Sequence, residues 1–127
     1  MVSKATYIIG AIALVIVVFI GFRITGQVSA DNGKYDDFAS CLTDSGAKMY
    51  GAFWCSHCSD QKKMFGTSWK LVDYVECDIR GEDGNPELCS FAGITSYPTW
   101  IFNDGSRASG LVSFEELSFR TGCLLPE

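Results

Sequence analysis

One histidine, three prolines and no charged residue between Ala5 and Phe22 are the scarcities that constrain this chain first. With the single histidine, His57, already placed between two cysteines, no Ser-His-Asp set, phosphate loop or paired-carboxylate site can be built convincingly. No acid occurs before Asp31. Residues 31–127 therefore carry eight bases against fifteen acids, a net charge of about −7. An acidic domain without a basic stripe excludes nucleic acid as a partner and disfavours docking on anionic headgroups. The Asn-x-Ser/Thr glycosylation pattern is also absent, as are internal repeats and low-complexity tracts.

What is present is apolar at the front and rich in cysteine behind. Residues 5–24 are almost wholly Ile, Val, Leu, Ala, Phe and Gly. At about 1.5 Å per residue they match the roughly 30 Å of a bilayer core. Residues 1–4 form a short head. Val28-Ser29-Ala30 would serve as a signal-peptide cleavage site, but the apolar core is longer than signal peptides use. An uncleaved single-pass anchor contacting the lipid bilayer is the expectation. Residues 25–34 read as a polar linker and 35–127 as one domain, small but large enough for a core.

Six cysteines, Cys41, Cys55, Cys58, Cys77, Cys89 and Cys123, are many for such a domain. Behind a membrane segment they point to an oxidising compartment and disulfides. The domain is then expected on the extracytoplasmic side of the cell membrane.

Periodicity predicts helix over 35–45, strand over 47–54, helix over 55–65, strand over 71–77 and a short helix over 87–92. A strand follows over 96–102, then a hairpin turn at Asn103-Asp104-Gly105-Ser106 and a return strand over 107–112. Ser113 and Glu116 have capping-box spacing and open a last helix to about Thr121, stopped by Gly122. A β-α-β unit followed by a hairpin and a helix gives an α/β fold, a mixed four-stranded sheet covered on both faces.

The chemistry is expected at Cys55-Ser56-His57-Cys58, where a buried strand gives way to a helix. Backbone N–H groups and the helix dipole stabilise a thiolate there. Cys55 is the expected exposed nucleophile or acceptor, and Cys58, one turn further in, resolves the mixed disulfide. His57, if cationic, would favour the reduced pair and make the disulfide more oxidising. Zinc is disfavoured because no second ligand pair has finger-like spacing, so no metal is expected. Pro98 in Tyr97-Pro98-Thr99 is the second signal, since proline at the mouth of a strand needs an edge or a special geometry. A cis bond facing the dithiol would present the Tyr97 backbone to a substrate strand. Trp54, Tyr97 and Ser56 are the candidate substrate contacts. Of the remaining cysteines, Cys77 and Cys89 could close a short loop, leaving Cys41 with Cys123; one such pair serving as a second redox relay is the alternative.

Phe53-Trp54-Cys55-x-x-Cys58 and Gly93-Ile94-x-x-x-Pro98-Thr99 together resemble the active-site and cis-proline motifs of the thioredoxin superfamily. More narrowly, five stretches are similar to the thioredoxin-like domain fused to, or encoded beside, bacterial vitamin K epoxide reductase homologues. They are Cys41-Leu-Thr, Lys48 to Cys58, Tyr74-Val-Glu-Cys77, Cys89 and Ala92 to Trp100. The resemblance implies a thioredoxin fold and a dithiol that takes electrons from exported cysteine-containing proteins. It also implies reoxidation by a four-helix membrane quinone reductase, with no cofactor but the Cys55–Cys58 disulfide and quinone only through that partner. Two positions depart from the cytosolic thioredoxin pattern: Met49 stands where a buried acid accepts the resolving thiol's proton, and Ser56 where proline or glycine is usual. Both, with His57, tilt the expectation from a reductase towards a disulfide donor. A reductase or isomerase, and a non-catalytic peptide-binding adaptor, are the alternatives.

Overall fold

The fold is described from a computed structural model, in which residues 33–127 are described together with Lys4, Ile8, Ile9 and Ile12. Most of the predicted head, anchor and linker lies outside the described residues. Among the described residues no helix is long and apolar enough to cross a membrane.

From residue 33 onward the elements run α1 (Asp36–Asp44), β1 (Lys48–Gly51), α2 (Ser56–Phe65), a 3-10 helix (Gly66–Leu71), β2 (Tyr74–Glu76), α3 (Pro86–Phe91), β3 (Thr99–Ile101), β4 (Arg107–Ser109) and α4 (Phe114–Thr121). The sheet order is β2-β1-β3-β4. β1 lies parallel to β2 and antiparallel to β3, and β3 is antiparallel to β4. This mixed sheet with its flanking helices is a thioredoxin-like arrangement, in the predicted element order.

Strand alternation divides the side chains between two cores. On one face Met49 and Trp100, directly paired across β1 and β3, meet Phe38 and Leu42 of α1, Cys58 and Phe65 of α2, and Leu117 of α4. On the other, Tyr50 and Val75 pack with Cys77 and with Cys89 of α3. The strands are shorter than predicted. Residues 66–71 wind as a 3-10 helix, because Trp69 packs back on Phe65 and forward on Tyr74 while Ser68 is buried.

At α4, Ser113 Oγ accepts the Glu116 N–H as the spacing predicts. The Glu116 carboxylate instead accepts from Arg120, one turn on, so the box is half closed. Gly122 ends the helix at φ 75°, a left-handed conformation in which glycine meets no Cβ penalty.

Candidate active site

β1 delivers the chain to α2 and ends at Gly51, four residues before the dithiol. Cys55 is the N-cap of α2, and its sulfur accepts the Cys58 N–H at 3.2 Å. One of the donors every helix leaves unpaired at its start is thus aimed at the sulfur, which lowers the cost of a thiolate there. Cys55 and Cys58 are paired, with 5.2 Å between their Cα atoms. Cys58 is 1% exposed and Cys55 8%. The predicted order of exposure holds, but Cys55 is less open than expected because its sulfur turns into the helix N-terminus. Ser56 and His57 are exposed on the first turn.

The second motif meets the first through aromatic rings. Trp54 and Tyr97 pack edge to face with centroids 5.9 Å apart. The Tyr97–Pro98 peptide bond is cis, Pro98 is buried, and its carbonyl accepts the Gly110 N–H. Trp54 is 58% exposed yet held in place. Its indole N–H donates to Asp78 Oδ2 at 2.8 Å, and the same carboxylate accepts three hydrogen bonds from Arg80. These donors, Arg80 first, hold the Asp78 carboxyl well below the usual carboxylate range. The Arg80 guanidinium also lies 5.7 Å from the centre of the exposed Phe53 ring. An apolar platform beside the dithiol is therefore pinned by one half-buried acid. Sequence reasoning passed over Asp78, whose role depends on the β2–α3 loop turning back towards Trp54.

Behind the dithiol the surroundings are polar. A Cβ on Gly51 would stand 2.9 Å from Cys58 Sγ, 3.1 Å from Tyr74 Cε2 and 3.3 Å from the Tyr74 hydroxyl. Glycine is needed here for close approach, since any side chain would displace the resolving sulfur. The Tyr74 hydroxyl donates to Glu76 Oε2 at 2.8 Å, and Glu76 Oε1 accepts the Asp78 N–H at 3.0 Å. Glu76 is 6% exposed. Burial, and then the hydrogen bond to Glu76, push the Tyr74 phenol above its ordinary range. The Lys62 ammonium sits 3.9 Å from the Tyr74 ring centre, and burial lowers its pKa against the opposing pull of Glu76. The alternation of residues 71–77 signals that Tyr74 and Glu76 share a face. It does not signal that α2 covers that face.

Gln61 was also missed. Fully buried on α2, its amide accepts the Val112 N–H at 2.8 Å and donates to the Val112 carbonyl at 3.0 Å. It thereby ties the dithiol helix to the segment after β4.

The other cysteines are disulfide-bonded as Cys77–Cys89 and Cys41–Cys123. The first lies in the core opposite α2, and the second joins α1 to the residue after Gly122. Among the described residues no group of three His, Cys, Asp or Glu could hold a metal.

No protein-family model matches the chain. It is similar to a curated Arabidopsis thaliana protein named Thiol-disulfide oxidoreductase LTO1, at 42% identity over 106 residues, 80% of this chain. The chain spans 28% of that relative's length.

Proposed function

We propose that this chain is a thiol–disulfide oxidoreductase of the thioredoxin superfamily, working through Cys55 and Cys58. The observation that carries the reading is the Cys55 sulfur capping α2 and accepting the Cys58 N–H, with Cys58 sealed beneath it. The thioredoxin-like fold and the name of the Arabidopsis relative support it.

In the reaction a substrate thiolate attacks Cys55 Sγ, the Cys55–Cys58 bond breaks, and the electron pair passes to Cys58. A second substrate thiolate then attacks the substrate sulfur of the mixed disulfide. The substrate leaves with a disulfide, and the protein keeps a dithiol. The helix N-terminus stabilises the thiolate of Cys55 released in this step, and cationic His57 on the same turn would do the same. Trp54, Tyr97 and Ser56 line the approach to Cys55, and the backbone beside Pro98 is free to pair with an extended substrate.

The finer reading is a disulfide donor to exported proteins, held by residues 5–24 as a membrane anchor with its domain outside the cytoplasm. A vitamin K epoxide reductase-like quinone reductase in the membrane would recharge it. Six cysteines behind an apolar segment, the acidic domain surface and Met49 in place of a buried acid on β1 support this direction. Sharing the membrane would raise the effective concentration of the recharging partner.

Equilibrating the full chain against glutathione buffers tests the reading. A potential of about −120 to −180 mV is expected for a donor, and one near −270 mV would mark a reductase instead. A Cys55–Cys58 bond that cannot be reversibly reduced would leave only a peptide-binding adaptor. Trapping of mixed disulfides by Cys58→Ala in cells is expected alongside the donor result.

A further inference from the structure

Cys58 must gain a proton when the pair is reduced and lose one when it is remade, yet it is 1% exposed and no acid stands behind it on β1. The polar atoms at its back come from β2. Cys58 Sγ and the Tyr74 hydroxyl flank the small space left by the missing side chain of Gly51. Measured from the position a Gly51 Cβ would take, the sulfur is 2.9 Å and the hydroxyl 3.3 Å away, a gap that one bridging water would span. The same hydroxyl donates to Glu76, and Tyr74 and Glu76 both line a cleft of about 350 Å³ with Val75, Glu82, Asp83, Asn85 and Leu88. The cleft opens on the β2 side of the domain, where neither Trp54 nor Tyr97 contributes to its lining.

We infer that Tyr74 and Glu76 form a proton relay joining the Cys58 sulfur to solvent in this cleft, in place of an acid on β1. The inference rests on the oxidoreductase reading. During closure of the disulfide, the Cys58 S–H gives its proton through one bridging water to the Tyr74 oxygen while the Tyr74 O–H proton passes to the Glu76 carboxylate. The Cys58 thiolate attacks Cys55 Sγ of the mixed disulfide, the new S–S bond forms, and the other thiolate leaves with the electron pair. Glu76 then releases its proton to water in the cleft. Reduction runs the same path backwards, the Tyr74 hydroxyl protonating Cys58 and recovering a proton from Glu76.

The neighbours suit the task. Tyr74 stays a neutral phenol, able to accept and donate at once. Lys62 of α2 lies over its ring, Tyr97 adds a second phenol nearby, and Asp78 donates its backbone N–H to Glu76 without bringing its carboxylate into the path. Glu76 could instead serve only as an anchor for the turn at Asp78, so the test must read proton transfer itself.

The experiment mixes the reduced full chain with saturating glutathione disulfide, so that resolution of the Cys55–glutathione mixed disulfide limits the rate. Tryptophan emission is followed from pH 5 to 10 for the natural chain, Tyr74→Phe and Glu76→Gln. The natural chain should give a rate that varies little between about pH 6 and 9. Each variant should fall at least about tenfold at pH 7, as for loss of an assisting acid or base. Each should regain the natural rate as pH passes the ordinary thiol value of about 8.5. Variants that keep the natural profile, or slow equally at every pH as packing damage would make them, overturn the relay. A natural chain that forms no mixed disulfide at all overturns the oxidoreductase reading and the relay with it.

Discussion

The two disulfides outside the active site should contribute unequally to stability, and their loop lengths set the order. Cys41–Cys123 spans 82 residues and Cys77–Cys89 spans 12. In the chain-entropy description, the first removes about 4.5 kcal/mol of unfolded-state freedom at 25 °C and the second about 3 kcal/mol. Packing adds to both, since Cys77, Cys89 and Cys123 are buried and their replacement leaves unfilled space. Equilibrium urea unfolding of Cys41→Ala/Cys123→Ala and Cys77→Ala/Cys89→Ala proteins should show the larger loss for the long loop. The gap is expected to be about 1 to 2 kcal/mol, with a steeper denaturant dependence for both as the unfolded chain expands. Graded reduction followed by mass mapping should open Cys55–Cys58 first, because Cys55 caps α2, where the helix N-terminus stabilises the thiolate that reduction releases. A Cys77–Cys89 bond that opens as readily as Cys55–Cys58, or whose loss costs more than that of Cys41–Cys123, would refute the assignment of these bonds to structure.

Two further outcomes follow from single side chains. Asp78 holds its carboxyl well below 3.8 in the folded chain, so its contribution is complete above the unfolded value and drains away as pH falls towards the folded one. Asp78→Asn should therefore flatten the acid limb of stability below about pH 4 and loosen Trp54, read as a red-shifted, more quenchable emission; an unchanged acid limb would contradict the Asp78–Arg80 geometry. Gln61→Leu should cost about 2 to 4 kcal/mol in thermal or urea unfolding, because it strands a buried N–H and C=O at Val112. A loss below about 1 kcal/mol would mean that water replaces the amide.

How much of this was legible beforehand depends on how far each feature reaches along the chain. The dithiol at a helix start, the hairpin at Asn103–Ser106 and the Ser113 cap are encoded within a few residues, and all three occur where the sequence places them. Loop closure and element order made the pairing of Cys77 with Cys89 and of Cys41 with Cys123 plausible without fixing it, and the structure forms both bonds. Gln61 was not legible. On a short, mostly polar helix it looks like one more solvated residue, and only the return of Val112 to α2 buries it. Asp78 and Arg80 looked like loop charges, because nothing local says that the loop bends back to Trp54. The 3-10 turn was hidden for a similar reason. Residues 66–71 carry no helical period, and the turn is fixed by where Trp69 must sit between Phe65 and Tyr74.

Met49 and Glu76 form the most informative pair, since a residue-by-residue reading notices a missing acid on β1 without asking which strand lies beside it. In the parallel register Gly51 stands opposite Glu76 and Met49 opposite Tyr74, so all four side-chain positions face α2. A shift of β2 by one residue would turn Tyr74 and Glu76 to the opposite face, among Tyr50 and Cys89, and would bring Val75 and Cys77 to face Cys58. That alternative would carry a carboxylate and a phenol into the apolar cluster, a cost of several kcal/mol that the observed register avoids. The polarity around the resolving sulfur is thus a property of the strand pairing. Gly51 is the residue that makes the pairing useful, because only its missing side chain lets a group on β2 approach a sulfur on α2 across β1.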